Sequence, residues 1–186
     1  MNRIHSVAVS AALIVWSLPL ARAGSKPSKP KDASAVAQAK AIFEQIDASS
    51  AEIAEVAEGL ETMAKGRRDP EMHLEGLDTL KQDVNSIGSE LSSLDAERAS
   101  LAPWEVEALD RTTSLMHDVA THAEQAIETF SADRDRLWAT SYPADTAKAA
   151  EDANQVKTLL AHYLKLAKVH EREDRLEHDL SGSQQF

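Results

Sequence analysis

The amino-acid sequence predicts an all-α fold, an elongated antiparallel up-down-up-down four-helix bundle, and three observations carry that expectation. Between residues 73 and 101, Leu77, Leu80, Val84, Ile87, Leu91, Leu94 and Leu101 recur in alternating steps of three and four, broken only at Arg98. That spacing puts apolar side chains along one side of an α-helix. The same rhythm returns in three other segments, and the second, third and fourth runs begin at Pro70, Pro103 and Pro143. Proline suits the first helical position, where its missing N–H would have had no partner anyway. Short connections then make successive long helices antiparallel neighbours.

The chain opens with Met1-Asn2-Arg3-Ile4-His5, an apolar stretch from Val7 to Leu20, and Ala21-Arg22-Ala23. A basic start, an apolar segment and small residues around the cut predict a signal peptide over 1–23, cleaved after Ala23. Its apolar run is shorter than the ~20 residues that span a bilayer. The expected location is periplasmic or secreted. Cysteine is absent, which excludes a lipid-anchored lipoprotein and any disulfide, so stability must come from packing. Residues 24–32, rich in Pro, Ser and Lys, read as a flexible tether.

The bundle is expected over 33–180. Helix 1, about 33–65, starts near Asp32 or Ser34, which can cap its free amides, and stops at Gly66. Its seam runs through Val36, Phe43, Ile46, Ile53 and Leu60, and Ile42, Val56 and Met63 widen it enough to touch two neighbours. A bundle follows more naturally than a two-stranded rod. Asp69 can cap helix 2, about 70–100. Asn85, Ser86, Gly88, Ser89, Ser92 and Ser93 are weak helix formers opposite its seam and read as a solvated face. Helix 3, about 103–138, places Val106, Leu109, Thr113, Met116, Ile127 and Phe130 inward, with Arg134 as its polar exception. Helix 4, about 143–179, carries a broad stripe through Val156, Leu160, Tyr163 and Ala167. It becomes nearly all charge after His170, as a helical extension into solvent would be. Residues 181–186 read as a disordered tail.

Loss of Arg3 and Arg22 with the leader takes the formal charge from −11 to −13. An acidic chain without a basic, aromatic-laced patch repels phosphate backbones and anionic membranes, which excludes nucleic acid as a partner class. Stable membrane insertion after signal cleavage is not expected.

Six histidines remain after His5 is removed, and helical bundles hold metals and haem between facing helices. His117 and His122 of helix 3 belong to no Glu-x-x-His pair of the di-iron kind. The best metal constellation is His170, Asp174 and His178, which recur every four residues on one side of helix 4. Residues two turns apart are about 12 Å end to end, so one ion can take only an adjacent pair. His73 reads as a partly buried end-cap. Met116 and His162 offer a loose axial pair for haem without a Cys-x-x-Cys-His. Arg98 and Arg134 lie near bundle ends, where the guanidinium can snorkel to solvent. Trp104 and Trp138 read as lids on the bundle ends. No cofactor is expected, and no nucleophile with a base, phosphate cradle or carboxylate pair points to an enzyme.

The segment from Leu101 to Arg111, Leu-Ala-Pro-Trp-x-x-Glu-Ala-x-Asp-Arg in outline, resembles a stretch of small, uncharacterised secreted bacterial helical-bundle proteins. That resemblance implies class and export and carries over no activity or residue role. The expected function is non-enzymatic: an extracytoplasmic bundle acting through protein–protein contacts as a scaffold, adaptor or stress-related binding module. A protein partner is expected, and pairing between copies is compatible with the seams. The alternative is a metal- or haem-binding periplasmic four-helix bundle.

Overall fold

The computed structural model describes residues 33–183, apart from the side chains at 33–36, 174 and 177–183. The leader, the tether and the last three residues of the tail lie outside the described residues. Four helices, α1 (Ala33–Lys65), α2 (Glu71–Ala96), α3 (Pro103–Ala132) and α4 (Tyr142–Ser183), form an antiparallel bundle. Each packs on its predecessor, and α4 closes the ring against α1. The α2 seam is buried throughout from Leu77 to Leu94, while Asn85, Ser86, Ser89, Ser92 and Ser93 face solvent. The three-four rhythm therefore separates core from surface in this helix, as its periodicity requires.

Helix ends follow local chemistry. The Asp69 carboxylate accepts the Glu71 backbone N–H at 2.9 Å, satisfying one of the free amides that open α2. At α1's end, the Arg68 N–H reaches back to the Met63 carbonyl at 3.1 Å and the Arg67 N–H to Ala64 at 3.0 Å. The residue in the left-handed conformation of this reversal is Arg67, at φ 53°, and not Gly66. A side chain there carries a backbone strain that glycine would avoid. Glu105 caps α3 by accepting the Ala102 backbone N–H, and it lies fully buried while doing so.

Two helices are shorter than their periodicity suggests. α2 ends at Ala96, and a 3-10 turn over Arg98–Ser100 follows. α3 stops at Ala132, where Asp133 leaves helical geometry at φ −147°, ψ 65°. A 3-10 segment, Arg134–Ala139, then carries a kink at Arg136. The kink folds Leu137 back under the bundle, where it is 3% exposed. α4, by contrast, runs on to Ser183, through Ser181 and Gly182 of the expected tail.

α3 also differs in register. Val106, Thr113 and Ile127 are only partly buried, and the innermost positions include Ala108, Thr112, Val119 and Ala126. The shift has a packing cause. Ala57 of α1 and Ala149 and Ala150 of α4 form a buried alanine contact of their own, and Ala123 and Ala126 of α3 and Ala153 of α4 are buried within the main core. Side chains this small let helix axes approach closely, so the inward row is the one that lets α4 in.

Glycine substitutions test this packing. A Cβ on Gly76 would sit 2.8 Å from Cδ2 of buried Leu60, whereas one on Gly59 meets nothing within 4 Å. Gly59→Ala is expected to stabilise the bundle by about 1 kcal/mol through helix propensity. Gly76→Ala should lose that gain to the contact with Leu60, as read from urea midpoints of the two variants.

Candidate functional site

Two features stand out from a molecule otherwise devoted to packing, and they lie at opposite ends of the bundle. The first is at the end formed by the α1–α2 and α3–α4 connections. His73, in the first turns of α2, and Tyr142, the first residue of α4, are both fully buried. The His73 Nδ1 and the Tyr142 hydroxyl lie 3.0 Å apart in a hydrogen bond, with the rings edge to face at 5.3 Å. Phe130 of α3 completes the group, its centroid 6.3 Å from His73 and 6.4 Å from Tyr142. Burial lowers the His73 pKa and pushes the Tyr142 phenol up, because both charged forms lose hydration there. His73 Nε2 is also buried and has no hydrogen-bond partner among the described residues.

A surface recess of about 170 Å³ opens beside this group, lined by His73 with Arg67, Arg68, Asp69, Arg134, Asp135 and Trp138. Trp138 is 42% exposed and carries the Arg67 guanidinium 4.9 Å from its ring centroid. Arg134 lies 5.9 Å from the Phe130 ring. Both distances are within the range of cation–π attraction. The expected lid at Trp138 is thus a half-open wall, while Trp104 at the other end is partly buried 6.3 Å from Phe43.

The second feature is on the outer face of α4. Leu166, Val169 and Leu176 are 37%, 47% and 54% exposed. They continue the three-and-four spacing from Leu159, which borders an open groove between α3 and α4 with Leu115, Asn154 and Thr158. At 100° per residue these four α4 positions share an arc of about 100°, and at 1.5 Å per residue they span about 26 Å. Lys40 of α1 pairs with Glu171 at 2.7 Å on the neighbouring side of the helix, which holds the start of α1 against this part of α4.

The other candidates separate. His170 is exposed and 3.4 Å from Glu173, while the side chains of Asp174 and His178 lie outside the described residues. Among the described residues, no three His, Cys, Asp or Glu side chains are grouped to hold a metal ion. Met116 is fully buried but His162 is exposed, so this pair shares no haem pocket. The imidazole packs edge-on against Tyr163 instead. His122 stands 3.8 Å from Asp152. Arg98 does reach solvent, but as a bidentate partner of Asp110 at 2.7 Å, bonded also to Asp95. His73, read from its seam position as a partly buried end-cap, is wholly buried. Its partner Tyr142 sits in what reads as a loop, and no spacing links residues so far apart in the chain. No family model matches the chain, and no curated protein or solved structure is significantly similar to it.

The His73 environment sets a pH dependence. Its folded pKa lies below the ordinary value of 6.5, so the unfolded chain binds the proton more readily. Stability is complete above about pH 6.5 and is lost as pH falls from there toward the folded pKa, at no more than about 1.4 kcal/mol per pH unit for one proton. Burial raises the pKa values of Asp47, Asp83, Glu90 and Asp152, which acts oppositely but nearer the carboxylate range. Urea unfolding of the protein between pH 7 and pH 6 should show declining stability. His73→Gln, which hydrogen-bonds without titrating, should flatten that decline.

Proposed function

We propose that this protein is a non-enzymatic extracytoplasmic bundle, periplasmic or secreted after cleavage following Ala23, that works by protein–protein contact through the outer face of α4. The observation that carries the reading is the exposed stripe of Leu166, Val169 and Leu176, continuous with the groove at Leu115 and Leu159. Apolar side chains at heptad spacing on an unpartnered helix face match the anchors of helix-in-groove recognition. No described helix is long and apolar enough to cross a membrane, so the stripe is not part of a spanning segment.

Charge selects the occupant. The stripe itself has neighbours of both signs, with Lys165, Lys168, Arg172 and Arg175 beside Glu171 and Glu173, but the whole chain carries a formal charge of −11. Two copies would bring like charges together, whereas an amphipathic helix with lysine or arginine beside its apolar face would be attracted. The partner is therefore an envelope or secreted protein with a basic amphipathic helix of about 26 Å, matching the stripe at 1.5 Å per residue.

A photo-crosslinking residue at Val169, in cells of the source organism, tests this reading. An adduct with a different protein is expected, reduced about ten-fold or more by Leu166→Glu or Leu176→Glu, equivalent to about 1.4 kcal/mol of lost affinity. Helix content by circular dichroism should stay constant, since both side chains are exposed. Adducts only between copies of this chain, no adduct, or a yield indifferent to both substitutions would overturn it.

A further inference from the structure

The recess beside His73 has a composition at odds with the rest of the molecule. The chain has 31 acidic residues against 20 lysines and arginines, yet Arg67, Arg68 and Arg134 converge on one opening of about 170 Å³. Arg98 pairs with Asp110, Arg111 with Glu107, Arg136 with Asp133 and Arg175 with Glu171. The three at the recess form no ion pair with a described residue. Arg67 and Arg134 instead lie over the faces of Trp138 and Phe130, an arrangement that leaves the guanidinium edges open to an acceptor.

Two carboxylates also line the opening, Asp69 and Asp135. One Asp69 oxygen is engaged by the Glu71 N–H, so part of its acceptor capacity is spent on capping α2. The backbone contributes too. Arg67 holds a left-handed conformation at φ 53°, which non-glycine residues adopt at an energetic cost and which recurs at functional sites. That conformation accompanies the placement of its guanidinium on Trp138.

Behind the arginines the wall is closed by the His73–Tyr142 pair, whose Nδ1 and hydroxyl lie 3.0 Å apart and whose side chains are fully buried.

We propose that this recess is a binding site for a compact tetrahedral oxyanion of the phosphate class, held by Arg67, Arg68 and Arg134. Arginine forks match phosphate oxygens in pairs, and the volume holds one such ion with ordered water, at ~30 Å³ per water. The site is separate from the α4 stripe and does not depend on it.

The test is a titration of the purified protein with inorganic phosphate, followed by amide chemical shifts against sodium chloride at equal ionic strength. Saturable shifts confined to residues 66–73 and 134–138 are expected. Arg67→Gln and Arg134→Gln change exposed side chains and should each weaken binding about ten-fold, the equivalent of one charge-assisted contact. Phosphate should also raise the melting temperature of the native chain and not that of the double variant. Glycerol phosphate binding at least as tightly as phosphate identifies a phosphomonoester as the ligand, and weaker binding identifies the free ion. Shifts that do not saturate, that chloride reproduces, or that persist unchanged in the double variant overturn the proposal.

Discussion

The arrangement of the bundle depends on how closely α4 lies against α1 and α3. Ala57, Ala149 and Ala150 meet in a contact of alanines alone, and Ala123, Ala126 and Ala153 are small residues of the main core. Each alanine buries little apolar area, at about 25 cal/mol per Å², so the contact stabilises by number and proximity. The other side of the bundle is built differently. There α2 presents Leu80, Val84, Ile87 and Leu91 to Phe43, Ile46, Ile53 and Leu60 of α1, all buried. Large side chains hold α2 farther out, small ones draw α4 in, and together they fill the core.

Both ends follow from that docking. With α4 drawn in, its first residue Tyr142 reaches across to His73 of α2 and closes one end of the core with a polar pair. At the other end α4 outlasts its neighbours, at 42 residues against 33 for α1 and 30 for α3. It therefore leaves Leu166, Val169 and Leu176 without intramolecular cover on its outer side. Without disulfides, the aromatic and hydrogen-bonded closure around His73, Phe130 and Tyr142 is the local means of sealing the bundle's end.

Local pattern was legible where a residue's environment depends on its own helix. The seam from Leu77 to Leu94 and the cap at Asp69 follow from spacing and residue type alone. What depends on contact between distant segments was not. Nothing near His73 marks Tyr142 as its partner, and the inward row of α3 is set by how that helix packs against its neighbours. The kink after Asp133 was hidden because Leu137 keeps the helical spacing while serving a folded-back segment. At the recess, Arg134 stood out as a polar break in a seam. Arg67, however, gains its meaning from a backbone conformation that glycine normally holds, with Gly66 beside it. For the α4 stripe, Leu166, Val169 and Leu176 keep the core's three-and-four spacing, so periodicity alone does not tell their outward face from the buried one.

The most direct measurement of the close α1–α4 approach is the stability of Ala149→Leu. This residue is fully buried against Ala57, and three added carbons have nowhere to go unless the helices separate. Overpacking of this kind costs about 1–3 kcal/mol, so a drop of that size in urea unfolding is expected, along with altered amide shifts at His73 and Tyr142. Unchanged or increased stability, with those shifts intact, would contradict the close alanine contact on which both ends of the molecule depend.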